Sequence, residues 1–142
     1  MRATALVHDD PAFCGRARDL LERAGCEVAI FPDPMVAINA IEASEPFDTL
    51  ITRVRFSPGQ PTGVSLALIL RTRYPGMNVV FVGAPENRPH TQGIGTLIPH
   101  PVDLARLLQA LRVLPPRERS LHLLGVATPA LQALAAAPGA VG

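Results

Sequence analysis

Short apolar runs alternate along the chain with segments in which apolar residues repeat at helical spacing. The first run, Ala3 to Val7, precedes Pro11 and a helical pattern that Gly25 ends, because glycine adopts the left-handed cap conformation without a Cβ penalty. Four further runs have strand length: Cys26 to Phe31, Asp48 to Thr52, Asn78 to Val82, and Leu97 with Ile98. Three further helices are predicted: Asp33-Pro34 to about Ala43, Thr62 to Arg73, and Leu104 to Leu114.

Prolines and glycines mark the irregular parts of this alternation. The stretch from Arg55 to Gly63 is predicted to be a loop. Between the fourth and fifth strands, Pro85, Pro89, Gly93 and Gly95 leave little room for a full helix, so we expect a loop or a single turn. Strands and helices that alternate in this way predict an α/β fold, a doubly wound parallel sheet with helices on both faces.

Three of the predicted strands run into residues that bear on chemistry. These residues are His8, Asp9 and Asp10 after the first strand, Arg53 after the third, and His100 with Pro101 after the fifth. The carboxyl ends of parallel strands meet at one edge of the sheet, and ligands of open α/β sheets bind in the crevice there. The crevice is therefore the candidate functional site.

Composition narrows the class of protein. The 142 residues suit one domain, and 48% hydrophobic against 18% charged residues excludes an intrinsically disordered composition. A net charge of +1 without a basic stripe gives no reason to expect direct nucleic-acid binding. No signal region and no apolar run of membrane-spanning length is present, so we expect a cytoplasmic protein that does not bind membranes.

The reactive residue types limit the chemistry. All 13 basic residues are arginine, which removes lysine as a Schiff-base former or phosphate ligand. Cys14 and Cys26 are expected to be free thiols. No nucleophile-elbow, P-loop or paired-cysteine metal motif occurs. We therefore expect neither an enzyme nor a bound cofactor.

The order of these parts resembles a response-regulator receiver domain of the CheY-like superfamily, from about Arg2 to Leu114. Leu6 to Pro11 resembles its acidic first-strand motif, and Phe47 to Arg53 resembles its third strand with the phosphoacceptor. Gly63 resembles the glycine that opens the third helix, and Gly93 to Pro101 resembles the segment that carries a lysine and a proline. The resemblance implies a flavodoxin-like sheet with strand order 2-1-3-4-5, and a role in two-component or phosphorelay signalling.

The chain departs from that family at nearly every chemical position. In the family, paired acids hold Mg²⁺, an aspartate accepts a phosphoryl group, and a Ser/Thr and a lysine respond to it. By resemblance, the positions correspond as follows: the first acid is His8, the second is Asp9, the phosphoacceptor is Arg53, the Ser/Thr is Gly83, the lysine is His100 and the aromatic switch residue is Leu97. Pro101 is retained, which implies a cis bond after His100. A register that pairs Asp9 with Asp10 would displace Pro11 and is less favoured.

These substitutions predict an atypical pseudo-receiver without a phosphoacceptor aspartate. A guanidinium is neither a nucleophile nor a ligand for a hard cation, so Arg53 is expected to form a salt bridge with Asp9 in place of the metal. Arg53 could instead join His8 and His100 in a pocket for a small anionic ligand. A transition-metal site at His8, Asp9 and His100 is the least favoured alternative.

The chain divides into a receiver-like domain, residues 1–114, and a Pro/Ala/Leu-rich extension, residues 115–142, expected to be partly helical or disordered. Within the extension, Leu121 to Leu134 is apolar enough to dock somewhere or to support a homodimer. We expect a phosphorylation-independent protein–protein interaction module, held in one conformation, whose partner is a signalling protein such as a kinase, regulator or effector.

Overall fold

The computed structural model describes residues 3–42 and 47–113, and the predicted order of strands and helices is confirmed there. The extension lies outside the described residues. The elements are β1 (Ala3–Val7), α1 (Pro11–Arg23), β2 (Glu27–Phe31), α2 (Pro34–Glu42), β3 (Thr49–Arg53), α3 (Gly63–Arg73), β4 (Asn78–Gly83), a 3₁₀ turn (Pro85–Asn87), α4 (Arg88–Thr91), β5 (Thr96–Pro99) and α5 (Leu104–Val113). The predicted boundaries differ from these by one or two residues.

The five strands form one parallel sheet in the order β2-β1-β3-β4-β5, as predicted. In the register of this sheet, Val7 lies opposite Phe31 on one side and Thr52 on the other. Gly83, the last residue of β4, lies opposite Pro99. The carboxyl ends of the strands are therefore level, and they bring the residues of the candidate crevice to one edge.

Side-chain caps start the helices where the sequence predicts them. Asp10 accepts a hydrogen bond from the Ala12 N–H at 3.0 Å, and Pro11 occupies the first turn, where its missing N–H costs nothing. Asp33 accepts from the Val36 N–H at 2.9 Å at the start of α2. Each cap satisfies a backbone donor that a helix start would otherwise leave unpaired.

The sheet separates two apolar layers. One layer packs α2 and α3 against the sheet, with these buried residues among others: Ala37, Ile41, Leu50, Leu66, Leu70, Val79 and Phe81. The other packs α1 and α5 against the opposite face, with these among others: Leu6, Phe13, Ala17, Leu21, Ile51, Val80, Leu107 and Leu111. Strands that are buried on both faces explain why the apolar runs of the sequence are continuous rather than alternating.

The fourth helix is shortened, as predicted. A 3₁₀ turn and the four residues of α4 replace a full helix, and the chain then leaves α4 through Gly93 at φ 80°. A Cβ at Gly95 would collide with the backbone oxygen of Val79, so this segment passes directly against β4. Within residues 3–42 and 47–113, no helix is long and apolar enough to span a membrane.

Gly63 holds the start of α3 against the end of β3. Its N–H donates to the Val54 carbonyl at 2.8 Å, and a Cβ at this position would overlap the backbone oxygen of Arg53. Glycine is therefore required here by space, because any side chain would push α3 away from the strand that carries Arg53.

Gly63→Ala is expected to lower the free energy of unfolding by about 1–3 kcal/mol, because the methyl group must displace backbone rather than a flexible side chain. Gly15→Ala is the matched control: Gly15 lies inside α1 with no atom within 4 Å of the added Cβ, so this change should stabilise the protein by about 0.5–1 kcal/mol. Chemical denaturation measures both. Equal effects of the two changes would contradict the close approach.

Candidate functional site

An ion pair between Arg53 and Asp9 bridges the ends of β3 and β1. Arg53 Nη1 lies 2.6 Å from Asp9 Oδ1, and the side chains are 35% and 40% exposed. Arg53 is the last residue of β3, and Asp9 lies two residues after the end of β1. The predicted salt bridge is therefore present, formed by side chains that the parallel register brings together.

The guanidinium of Arg53 controls the charge of Asp9. Partial burial alone would raise the pKa of this carboxyl, but the hydrogen bond from Arg53 and its positive charge outweigh burial and lower the pKa. Asp9 is consequently a carboxylate with one oxygen already occupied by a cation of the protein. A divalent metal would have to displace that guanidinium, so the residues present do not fit the Mg²⁺ site that a receiver fold implies.

Asp10 does not take part in this ion pair. Its carboxylate caps α1 through the Ala12 N–H, and the contacts described for Arg53 are with Asp9. Asp9, rather than Asp10, therefore holds Arg53 in the described part of the chain. The Asp10 carboxylate serves as the helix cap instead.

His8 is a buried neutral side chain. It is 5% exposed, and its ring packs against Phe13 with the centroids 4.5 Å apart. Burial lowers its pKa to about 4, and the positive charge of Arg53 acts in the same direction. The negative charges of Asp9 and Asp10 act to raise the pKa of His8, but they do not outweigh burial and the charge of Arg53. His8 therefore carries no charge near neutral pH and adds no positive charge to the crevice.

The hydrogen bonds of His8 also weigh against a metal. Nδ1 accepts from the Asp10 N–H at 3.1 Å, so the neutral ring carries its proton on Nε2 and has no free lone pair there. Nε2 is buried and has no hydrogen-bond partner among residues 3–42 and 47–113. Within the described parts of the chain, no group of three or more His, Cys, Asp or Glu side chains is placed to hold a metal ion. The transition-metal alternative has no support in this geometry.

The remaining positions of the predicted site lack the groups that would respond to a phosphoryl group. Gly83 is buried, and a Cβ there would lie 2.9 Å from Val54 Cγ2. Leu97 is buried in the apolar layer of α2 and α3. His100 is exposed, its N–H donates to the Gly83 carbonyl at 2.9 Å, and its bond to Pro101 is cis.

Two side chains beside the crevice were not assigned to it from the sequence. Cys14, in the first turn of α1, donates from Sγ to the His8 carbonyl at 3.5 Å, and burial raises the pKa of its thiol. Arg55 donates from Nε to Asn87 Oδ1 at 3.2 Å and links the β3–α3 loop to the turn before α4. The position of Arg55 two residues after Arg53 was the available signal for it. Cys14 carried none beyond its place in an apolar helical stripe.

Comparison with solved structures finds the same arrangement of strands and helices in receiver domains. The chemotaxis protein CheY4 of Vibrio cholerae is 22% identical, with a TM-score of 0.69 over 80% of this chain and 99% of that one. A CheY-like receiver protein from Methanospirillum hungatei JF-1 is 24% identical, with a TM-score of 0.69 over 79% and 91% of the two chains. The chain has the receiver-domain fold.

The likeness extends to the fold alone at these identities. No protein-family model and no curated protein matches the sequence. A structure described as an adenylate cyclase from Rhodopirellula baltica matches equally well, with a TM-score of 0.70 at 18% identity over 78% of this chain and 84% of that one. Because one receiver-like fold occurs under different functional descriptions, the function of this chain has to be argued from its own side chains.

A double-mutant cycle of Asp9→Asn and Arg53→Gln is expected to give a coupling of about 0.5–1 kcal/mol in the free energy of unfolding, falling as salt is added, because the pair is partly exposed. The exposed pair Arg23–Asp19 on α1, at 2.7 Å, is the control and should give about 0.3–0.5 kcal/mol. A coupling no larger than that of the helix pair would mean that Arg53 and Asp9 do not tie the strand ends.

Unfolding stability is expected to rise with pH between about 4 and 6.5, because His8 titrates near 4 when folded and near 6.5 when unfolded. In this window the unfolded chain binds more protons than the folded chain. Lowering the pH across the window therefore reduces the free energy of unfolding by an amount of the order of 3 kcal/mol. His8→Asn keeps an acceptor for the Asp10 N–H and should remove most of this slope, whereas His100→Asn, at an exposed histidine, should retain it. Denaturation curves across the window measure the slopes, and parallel slopes for wild type and His8→Asn would refute the buried neutral ring.

Proposed function

We propose that this protein is a receiver-like module of two-component or phosphorelay signalling that acts through protein–protein contact without being phosphorylated. The observation that carries the proposal is the Arg53–Asp9 ion pair, formed where the resemblance places the phosphoacceptor and its metal. Neither a guanidinium nor a carboxylate held by one supplies the nucleophile and metal ligands that acyl-phosphate formation needs.

The nearby carboxylates do not replace the missing acceptor. Asp9 is paired with Arg53, and Asp10 caps α1. Asp48 lies at the opposite end of the sheet, where its Oδ2 accepts from the Ala3 N–H at 2.9 Å. Each of these three carboxylates takes part in a structural contact. This supports the view that the residues of the crevice stabilise the fold and do not carry out a reaction.

The switch positions support a domain that remains in one state. A receiver that responds to phosphorylation needs groups that move toward the phosphoryl oxygens, and Gly83 has no side chain to do so. Leu97 is 4% exposed and packs in the core, so it is not placed to move toward the crevice. The short α4 also removes most of the helix that would rearrange. A partner would therefore meet the same surface at all times.

The face of α2 and α3 is the surface we propose for the signalling-protein partner. Four large apolar side chains are exposed there: Met35, Val36, Leu68 and Ile69. Apolar side chains that two packed helices leave in solvent are typical of protein contact surfaces. The net charge of +1 gives no comparable reason to propose nucleic acid as the partner.

The anionic-ligand alternative is less well supported. Its recognition group was Arg53, and a ligand would have to displace Asp9 from that guanidinium. His8 is buried and neutral near pH 7, so it adds no positive charge. A small pocket of about 240 Å³ beside the crevice is lined by Val54, Arg55, Thr62, Val64 and His90 and does not include Arg53.

Incubation of the full chain with acetyl phosphate and Mg²⁺ is expected to leave its intact mass unchanged, because no free carboxylate is available at the end of β3. A receiver domain that has the aspartate serves as the positive control under the same conditions. An adduct of one phosphoryl group, located by peptide mapping to Asp9 or Asp10, would overturn the phosphorylation-independent role.

The same samples test the interaction half of the proposal. Proteins captured by the full chain are expected to be the same with and without acetyl phosphate, and capture is expected to fall for Leu68→Glu. The exposed polar position Asn39 on α2 supplies the control Asn39→Glu. The proposed interaction would be contradicted if acetyl phosphate changed the set of captured proteins, or if Leu68→Glu left the amount captured unchanged.

A further inference from the structure

An apolar groove runs between α1 and α5, on the opposite side of the sheet from the α2–α3 face. Its volume is about 600 Å³, and it is lined by Leu20 on α1 and by Leu104, Ala105, Leu108, Gln109 and Arg112 on α5. The three leucines are only half-buried, and Leu104 and Leu108 pack against the core layer that contains Phe13 and Leu107. The α5 residues form one stripe along the whole length of the helix, so the groove is as long as α5 itself.

The chain continues from the end of this groove. Val113 is the last residue of α5, and Arg112 lines the groove one residue earlier. Pro115 and Pro116 follow, and neither can extend a helix by donating a backbone hydrogen bond. Residues 114–120 can span up to about 25 Å when extended, whereas the ten residues of α5 measure about 15 Å. The chain is therefore long enough to double back along the groove.

The composition of the next segment matches the groove. Residues 121–134 contain five leucines and one valine, and no Asp, Glu, Lys or Arg. Burying such side chains against half-buried leucines removes apolar surface from water on both partners. The covalent connection gives the segment an effective concentration in the millimolar range at a site this close, which a separate partner would seldom reach.

We propose that residues 121–134 of the same chain lie in the α1–α5 groove and cover its leucines. The exposed apolar face of α2 and α3 is a poorer site for this segment, because the chain would have to pass around the sheet to reach it. Occupation of the groove also leaves the α2–α3 face free for a partner. The inference is independent of the proposed signalling role, since it concerns only how the chain covers its own surface.

A double-mutant cycle in the full chain tests the contact. Leu123→Glu/Leu124→Glu alters the segment and Leu108→Glu alters the groove, and hydrogen exchange of backbone amides in α1 and α5 reports the result. In the otherwise unchanged chain, Leu123→Glu/Leu124→Glu (the segment variant) is expected to speed the exchange of these amides about fivefold. In a chain that already carries Leu108→Glu, the same change is expected to speed the exchange little further. Leu68→Glu on α3 is the control, with which the segment variant should be additive.

Three outcomes would overturn the proposal. The segment variant could leave exchange in α1 and α5 unchanged, which would mean that the groove is not covered by this segment. It could couple to Leu68→Glu instead, which would place the segment on the α2–α3 face. The protection of α1 and α5 could rise with protein concentration, together with a larger mass in solution, which would assign the covering segment to a second copy of the chain.

Discussion

The Arg53–Asp9 ion pair is the interaction on which the character of the crevice depends. It joins the ends of neighbouring parallel strands through a single contact of 2.6 Å, and it places a positive charge of the protein where a receiver fold would place a metal ion. The positive charge of the Arg53 guanidinium is therefore always present and does not depend on an ion from solution. The crevice is therefore complete as soon as the chain has folded.

The rest of the crevice follows from that positive charge and from packing. Burial makes the charged form of His8 unfavourable, and the nearby guanidinium adds to this, so the ring is an apolar neighbour of Phe13. Gly63 allows α3 to begin directly against Arg53, which fixes the backbone that carries the guanidinium. Electrostatics and packing thus favour the same arrangement of the crevice.

Much of the fold could be predicted from the sequence, because strands buried on both faces and amphipathic helices leave clear periodic patterns. The order of elements and the short fourth helix followed from such patterns, whereas the Arg53–Asp9 pair was predicted from the resemblance to a receiver domain, which places both residues in one site. The roles of Asp10 and His8 could not be predicted in the same way. Whether a carboxylate caps a helix or pairs with an arginine, and whether a histidine is buried, depends on side-chain directions that residue order does not specify.

The close packing of Gly83 against Val54 limits which side chains the end of β4 can carry. A Cβ at Gly83 would meet a β-branched side chain that has little rotational freedom, so a serine or threonine fits there only if Val54 also changes. An Arg53→Asp variant would therefore still lack a hydroxyl at the end of β4, and adding one there would require Val54 to move as well. Packing around the crevice thus limits what a single replacement can do, and a side chain that responds to a phosphoryl group could be introduced here only through several concerted replacements.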